Sequence, residues 1–563
     1  MLTPLKATYE EYKTWGWDKF APFADELIQR PLSAETIDAW LQDWSQISDI
    51  VTDIFSRMNV ATSQNTADAG AEADFNHFMD EIFPNALAFE QKLKDKLLAS
   101  GLAPRGFEIP LRNYRRDAEI FRQENLPLLS EEHKMGLEYD QIIGKQTIQW
   151  QGEEVTPTQL RPVYQSEDRA LREQAWRLSM SRFLADRQQL NELWVRFFNL
   201  RKQIAANAGL PDFRAYVWKM KYREDYTPEN CEEFHRAIEE VVVPAASRIY
   251  ARRKAQLGVD QLRPWDLNVD PLGLPALKPF QNVDELIQKA SAIFHHVDAD
   301  LGGYFDTMVR EKLLDLPNRK NKAPGAFCTS YPLSHRPFVF ANAVGIHDDV
   351  QTTLHECGHA FHVFESAHVP LAQLHEPPME FNEVASMGME LLASPYLDKA
   401  HGGFYAPEDA KRAFHEHLES NILFWPYMAV VDAFQHWAYT HPEAAVIPQE
   451  CDAAWDGLWA RFMPGVDWGG LEAERMTGWH RKLHIFQVPF YYVEYGLAQL
   501  GACQIWRNSL QDQQKAVQSY RSALSLAGTV TLPKLYETAG AKFTFKSDIL
   551  GEVVDLMEQE LAK

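Results

Sequence analysis

The spacing of apolar residues constrains the fold of this chain most, because over long stretches it follows the period of an α-helix. Between Trp176 and Ile204 apolar positions recur every three or four residues, as they do on one buried face of a helix. The arginines of this stretch, Arg177, Arg187 and Arg201, fall on other faces. The sequence therefore predicts a mostly α-helical fold.

Boundary signals support this prediction. Thr227 followed by Pro228 indicates a helix start, with Thr as the N-cap and Pro in the first turn. A further helix is expected to begin near Asn282. The small, polar segment 61–74 predicts a loop or turn.

Strand signals are few. The segments TIQW (147–150) and EEVT, separated by Gln-Gly, predict a small hairpin. Residues 336–342 predict a short strand, and Pro337 favours an edge position because proline donates no ladder hydrogen bond. An edge strand near the active site could pair with an extended peptide, which would make Phe340 and Asn342 candidate substrate-binding residues. The sequence alone does not place the strand there, and only the family resemblance described below supports that placement.

Composition excludes several functions. The net charge of −23 argues against nucleic acid as a partner, because phosphate binding needs a basic face. No apolar run approaches 18 residues, so no membrane association is expected. Five scattered cysteines, none in a CxxC pair, and the lack of a visible signal peptide predict a cytoplasmic location. No feature of the sequence specifies an oligomeric state.

The motif His355-Glu356-Cys357-Gly358-His359 carries the clearest chemistry. On a helix, imidazoles four residues apart project from one face and can hold one zinc ion. Glu356 then lies where it can take a proton from a metal-bound water. With 19 histidines in the chain, the motif would arise by chance in about one of 20 such chains. It therefore needs independent support.

A zinc peptidase site needs a third protein ligand. Two prolines, Pro377 and Pro378, begin a new helix that carries Glu383, which we assign as this ligand. Glu390, two turns further on, is assigned as a hydrogen-bond partner of a ligand imidazole. The competing candidates for the third ligand are Glu376 and Glu380, and a solvated helix face is the alternative interpretation.

The segment from His484 to Gly496 is rich in possible hydrogen-bond donors for the oxyanion of a tetrahedral intermediate. Tyr492 and Tyr495 are three residues apart and can point to one side of a helix. An aromatic core helix is the alternative interpretation of this segment.

Three segments, HECGHAFH, FNEVASMGMELL and HIFQVPFYYVEYGLAQLG, resemble the active-site segments of the M3 family of zinc oligopeptidases. The similarity is strongest to the oligoendopeptidase F branch, which includes the Pz-peptidases. It extends over roughly residues 145–555, with further similar stretches such as KAPGAFC (322–328) and LYETAGAKFTF (535–545). Cys357 stands where relatives usually carry a bulky apolar residue, and helical geometry turns it away from the two imidazoles.

The resemblance implies two helical lobes that enclose a deep substrate channel, with a small β-sheet near a zincin-type HExxH helix. It implies one Zn²⁺ per chain and cleavage of internal bonds in short, unfolded peptides. By motif position, His355, His359 and Glu383 are the ligands and Glu356 is the general base. We divide the chain into an N-terminal helical lobe (1–145) and a catalytic region (146–563).

Within the catalytic region the zinc site occupies 355–390 and the Tyr/His segment 484–496. The resemblance implies that His484, Tyr492 and Tyr495 contact the substrate and stabilise the transition state. Spacing in this segment varies across the family, so Tyr491 is an alternative to Tyr492 and a candidate substrate-binding residue.

Two other functions fit parts of the sequence. One is a zinc exopeptidase, which would need a pocket for a charged peptide terminus. The other is a non-catalytic peptide-binding protein whose HExxH helix is structural. Nitrogen and oxygen ligands would also accept Co²⁺ or Mn²⁺ in place of zinc.

Overall fold

The computed structural model of the chain describes residues 8–65, 68–144, 146–319, 322–323 and 325–563. They form two compact units, each assembled from three stretches of sequence. The first unit holds the described residues of Met1–Ala118, Leu277–Phe414 and Ala498–Phe543. The second holds Glu119–Ala276, His415–Leu497 and Thr544–Lys563. A linear division between residues 145 and 146 stays a prediction.

Helices dominate the first unit. Its apolar stripes meet in a core that includes Trp40, Trp44 and Leu93, all fully buried. Its helices are Tyr9–Tyr12, Trp17–Gln29, Ile37–Gln64, Ala69–His77, Phe83–Ser100, Val283–Val297, Ala299–Arg310, His347–Ser366, Met379–Ala393, Gln513–Leu524 and Leu532–Thr538.

The second unit is also helical. One of its cores packs Trp176 against Trp265 and Trp468. Its helices are Leu126–Gly144, Arg169–Ala185, Arg187–Asn207, Phe213–Met220, Pro228–Ala237, Val243–Leu257, Pro448–Phe462, Glu472–Met476, Leu483–Phe486 and Ser547–Leu561. Three further helices contain a boundary between the units: Glu108–Ile120, Pro407–Thr440 and Tyr492–Ser509.

These helices confirm the predicted fold class and both predicted helix starts, at Thr227-Pro228 and at Asn282. The prediction of a loop over 61–74 is wrong for most of that segment. One helix continues to Gln64, and the next begins after Asp68, whose side chain caps it. Residues 66 and 67 lie outside the described residues, as do the first seven residues of the segment used to exclude a signal peptide.

The described residues contain five strands: β1 (Ile148–Trp150), β2 (Glu153–Val155), β3 (Leu314–Pro317), β4 (Phe327–Tyr331) and β5 (Arg336–Ala343). β1 and β2 form the predicted hairpin. In the first unit β5 pairs with β3 in parallel and with β4 in antiparallel orientation. β5 is therefore the central strand of the order β3-β5-β4.

The predicted edge position of β5 is thus wrong. Pro337 is tolerated because β3 first pairs with β5 at Val339, so Pro337 has a paired neighbour only on the β4 side, at Ser330.

Among the described residues, no helix combines the length and the hydropathy that a membrane span requires.

Candidate active site

The helix His347–Ser366, called the HExxH helix below, follows β5 directly. Asp349 fixes its start, because the Asp349 Oδ2 atom accepts hydrogen bonds of 2.7–2.9 Å from the backbone N–H groups of Val344, Gly345 and Ile346. Cys357 lies on the buried side of the helix, as predicted. The side chains of His355 and His359 share the other face and are 26% and 22% exposed, so solvent reaches both.

The helix Met379–Ala393, called the Glu383 helix, packs closely on the HExxH helix. A Cβ atom at Gly358 would lie 2.5 Å from the carbonyl oxygen of Ala385 and 2.6 Å from the Cα atom of Ser386. Real Cβ atoms do not approach backbone so closely, so only glycine permits this approach. Glycine at position 358 therefore allows Glu383 to come close to the two histidines.

The Glu383 Oε2 atom lies 3.5 Å from His355 Nε2 and 3.9 Å from His359 Nε2. One ligand atom from each of the three residues lies within 4.8 Å of the other two. Ser386 orients the carboxylate by donating a hydrogen bond of 3.1 Å to Glu383 Oε2. Among the described residues, neither Glu376 nor Glu380 joins a converging set of possible metal ligands.

Glu390 contacts the other ring nitrogen of His355, at 2.6 Å between Nδ1 and Oε1. The carboxylate can only accept, so Nδ1 carries the proton and Nε2 is left to bind a cation. Burial lowers the pKa of His355, but the hydrogen bond and charge of Glu390 and the nearby carboxylates raise it overall to about 9. Burial holds the pKa of His359 well below its usual value.

Glu356 is 7% exposed beside this cluster. Burial raises the pKa of Glu356 to about 7, since it penalises the charged form, and Glu383 and Glu390 act in the same direction. A carboxyl group with a pKa near 7 suits proton transfer at neutral pH. Two imidazole nitrogens, one carboxylate and solvent access together fit a catalytic zinc site, which has three protein ligands and one open position.

The predicted tyrosine and histidine residues form a cluster of their own in the second unit. The ring centroid of His484 lies 4.8 Å from that of Tyr492 and 6.1 Å from that of Tyr495. Tyr491 belongs to the same cluster, because its ring centroid lies 5.1 Å from that of Tyr495. Tyr492 is buried, whereas Tyr491 and Tyr495 are half-buried. Burial and the charges of Lys482 and Lys221 lower the pKa of His484 to about 4, so its imidazole is neutral at pH 7.

Lys482 was not foreseen. Its Nζ atom donates a hydrogen bond of 3.2 Å to the hydroxyl oxygen of Tyr492 and lies 4.6 Å from the centre of that ring. Burial lowers the pKa of Lys482 to about 8. Its position two residues before His484 is a signal in the sequence, but charge alone does not distinguish it from surface lysines.

A second unforeseen feature fixes the backbone before Tyr491. Phe490 has a φ of 61°, a left-handed conformation that costs a non-glycine residue about 1–3 kcal/mol. Its N–H donates to Gln435 Oε1 at 2.7 Å, and its carbonyl oxygen accepts from Arg223 Nη2 at 2.6 Å. These two bonds hold the turn from which the tyrosines project.

Phe340 and Asn342 lie on the central strand. Phe340 is fully buried between the ring of Phe327 and the Nζ atom of Lys322. Asn342 donates from its amide nitrogen to the carbonyl oxygens of Ala323 and Gly325. Because β5 is the central strand, neither residue lies on a sheet edge, and their role in substrate binding stays a prediction.

Comparison with known proteins identifies the family of the chain. The sequence profile of Peptidase family M3 matches residues 163–554, and that of the Peptidase M3 N-terminal domain matches residues 8–105. No curated protein sequence matches the chain. Among solved structures, Pz peptidase A with an inhibitor is 26% identical, with a TM-score of 0.87 over 100% of this chain and 98% of that one.

An oligoendopeptidase F structure is also 26% identical, with a TM-score of 0.87 over 100% of this chain and 98% of that chain. Another, from Bacillus anthracis, is 26% identical with a TM-score of 0.83 over 100% of this chain and 97% of that chain. The profile covers more than half of the chain, and the similar structures cover all of it. The chain therefore belongs to peptidase family M3, in the branch of oligoendopeptidase F and the Pz-peptidases, and is a metalloendopeptidase.

Proposed function

We propose that this protein is a zinc endopeptidase that cleaves internal bonds of short, unfolded peptides. The observation that carries the proposal is the convergence of His355, His359 and Glu383 beside the buried carboxyl group of Glu356. The names of the similar structures, oligoendopeptidase F and Pz peptidase, support the substrate class.

A Zn²⁺ ion held by these three residues would polarise the scissile carbonyl group and make water more acidic. Glu356 takes the proton of the attacking water and passes it to the nitrogen of the leaving amine. Glu390 holds the proton on His355 Nδ1 and so keeps Nε2 directed at the cation.

His484, Tyr492 and Tyr495 are proposed to donate hydrogen bonds to the oxyanion or to the peptide backbone. Burial raises the pKa of Tyr492, which keeps its hydroxyl protonated. The bond from Lys482 occupies the oxygen of that hydroxyl as an acceptor and leaves its proton to be donated. Tyr491 is the alternative donor, and we include it as a substrate-contacting residue.

A fluorescence-quenched peptide blocked at both ends tests the proposal. We expect cleavage at an internal bond, loss of cleavage with a chelator, and recovery when Zn²⁺ is added back. Cleavage restricted to peptides with an unblocked end would indicate an exopeptidase. Failure to cleave any peptide, together with no bound zinc, would indicate a non-catalytic peptide-binding protein.

We also propose a cytoplasmic location, because all five cysteines are outside disulfides and four of them are buried. Recovery of an oxidised, secreted form of the protein would contradict this assignment.

A further inference from the structure

A second group of possible metal ligands lies in the second unit and takes no part in the proposed peptidase chemistry. Cys231 and His235 are four residues apart on the helix Pro228–Ala237. Asp432 and His436 are four residues apart on the helix Pro407–Thr440. All four are buried. Each helix thus presents a pair of ligand-type side chains from one face, which is the pattern that joins two helices through a metal.

The distances bring these pairs together. One ligand atom each of Cys231, Asp432 and His436 lies within 4.8 Å of the other two. His436 Nε2 lies 3.3 Å from Asp432 Oδ2. The same carboxylate oxygen is 2.8 Å from His235 Nε2, which donates to it. His235 therefore orients the carboxylate and leaves its other oxygen, Oδ1, for a different partner.

Hydrogen bonding leaves two atoms of this group unsatisfied. Neither Asp432 Oδ1 nor His436 Nε2 has a hydrogen-bond partner among the described residues. Their side chains are 0% and 6% exposed. A buried polar atom without a hydrogen-bond partner is unfavourable, and more so when its group is charged. His436 Nε2 faces Asp432 Oδ2 at 3.3 Å without forming a hydrogen bond. One cation would satisfy both atoms once Nε2 is deprotonated.

The charges match a divalent ion. A thiolate at Cys231 and a carboxylate at Asp432 carry two negative charges, which one divalent cation neutralises in a buried site. A sulfur, a nitrogen and an oxygen ligand together suit Zn²⁺ and disfavour Mg²⁺ or Ca²⁺.

One neighbour opposes binding. Arg214 Nη1 donates to His436 Nδ1 at 3.2 Å, which puts the imidazole proton on Nε2. Coordination through Nε2 would move that proton to Nδ1, so the guanidinium has to turn away. Glu232, whose carboxylate lies 3.9 Å from Arg214 Nη1 and is half exposed, offers it a partner.

We propose that Cys231, Asp432 and His436 form a second Zn²⁺ site that joins these two helices, with His235 as a positioning residue for Asp432. The proposal is independent of the peptidase function, because it shares no residue with the HExxH and Glu383 helices.

Metal analysis separates the two sites. A variant with His355→Ala and His359→Ala removes the candidate catalytic ligands and is expected to keep one Zn²⁺ per chain after dialysis. With Co²⁺ as the probe, this variant should show a thiolate-to-cobalt charge-transfer band, since the candidate catalytic site has no thiolate ligand. Absence of both the bound metal and the band would overturn the proposal.

Single substitutions locate the site. In the same background, Cys231→Ala should remove the charge-transfer band, whereas Cys451→Ala, which alters another buried cysteine of the same unit, should keep it. Arg214→Met should tighten Co²⁺ binding by several-fold, because it removes the opposing donor. A band that survives Cys231→Ala, or Co²⁺ binding that weakens in Arg214→Met, would contradict the assignment.

Discussion

The candidate metal-ligand cluster of the first unit and the tyrosine–histidine cluster of the second are built in different ways. His355, His359 and Glu383 lie on two regular helices, and their positions follow from helical spacing and one glycine contact. Tyr491 and Tyr492 follow a left-handed residue whose backbone is held by two side chains distant in sequence. Helix geometry thus places the proposed ligands, whereas tertiary contacts place the proposed donors.

Removing a ligand should have the largest effect. Glu383→Gln is expected to lose the zinc of the HExxH site, which lowers the zinc content by one ion per chain, and to reduce peptidase activity to background, because only two imidazoles remain. Metal analysis and cleavage of the blocked peptide check this. Glu380→Gln, which changes a buried carboxyl group on the same helix, is the matched control and should keep the metal. The opposite result would assign Glu380 as the ligand.

Removing one donor of the second cluster should cost less. Tyr495→Phe is expected to lower kcat by about 10²–10³ while the zinc content is unchanged. Comparing Tyr491→Phe with Tyr492→Phe in the same assay decides whether Tyr491 or Tyr492 acts as a donor together with Tyr495. Unchanged kinetics in Tyr495→Phe would remove this residue from the mechanism.

Removing Glu390, the hydrogen-bond partner of the ligand His355, should have a smaller effect still. Glu390→Gln is expected to weaken zinc binding by about 10–100-fold, because an amide at this position no longer fixes the proton on His355 Nδ1 so firmly. Competition with a chelator measures the affinity. Wild-type zinc affinity in this variant would show that the 2.6 Å contact between Glu390 and His355 does not affect zinc binding.

Loosening the backbone support should have the smallest effect. Gln435→Leu removes the acceptor of the Phe490 N–H and should lower kcat by at most about tenfold, since a neutral hydrogen bond contributes about 1 kcal/mol. Gln504→Leu is the control, because Gln504 also holds backbone groups but shares no bond with either cluster. Equal losses in both variants would indicate a general loss of stability.

The same contrast explains what the sequence could predict. Helix starts at Thr227 and Asn282 depend on local signals, and they were confirmed. The segment 61–74 was predicted to be a loop from its small, polar residues, yet most of it is helical although none of its described residues is buried. Local composition therefore indicates a loop less reliably than a capping residue indicates a helix start.

Features set by distant partners were not predictable in this way. β5 is central because β3, more than 20 residues earlier, pairs with it. Arg201 was expected on a face outside the buried stripe, yet it is fully buried. Its guanidinium donates to Glu132 and to the backbone carbonyls of Ile485 and Phe486. These hydrogen bonds support the segment that carries His484. No helical periodicity encodes such pairings.

The role of Glu356 as general base is tested most directly by Glu356→Gln, measured for metal content and activity in one preparation. We expect zinc equal to wild type and a loss in kcat/KM of about 10²–10⁴, because the proton acceptor is removed while the ligands stay. Glu365→Gln, on the same helix, is the control and should retain activity. Near wild-type activity in Glu356→Gln would contradict the assignment of Glu356 as the general base.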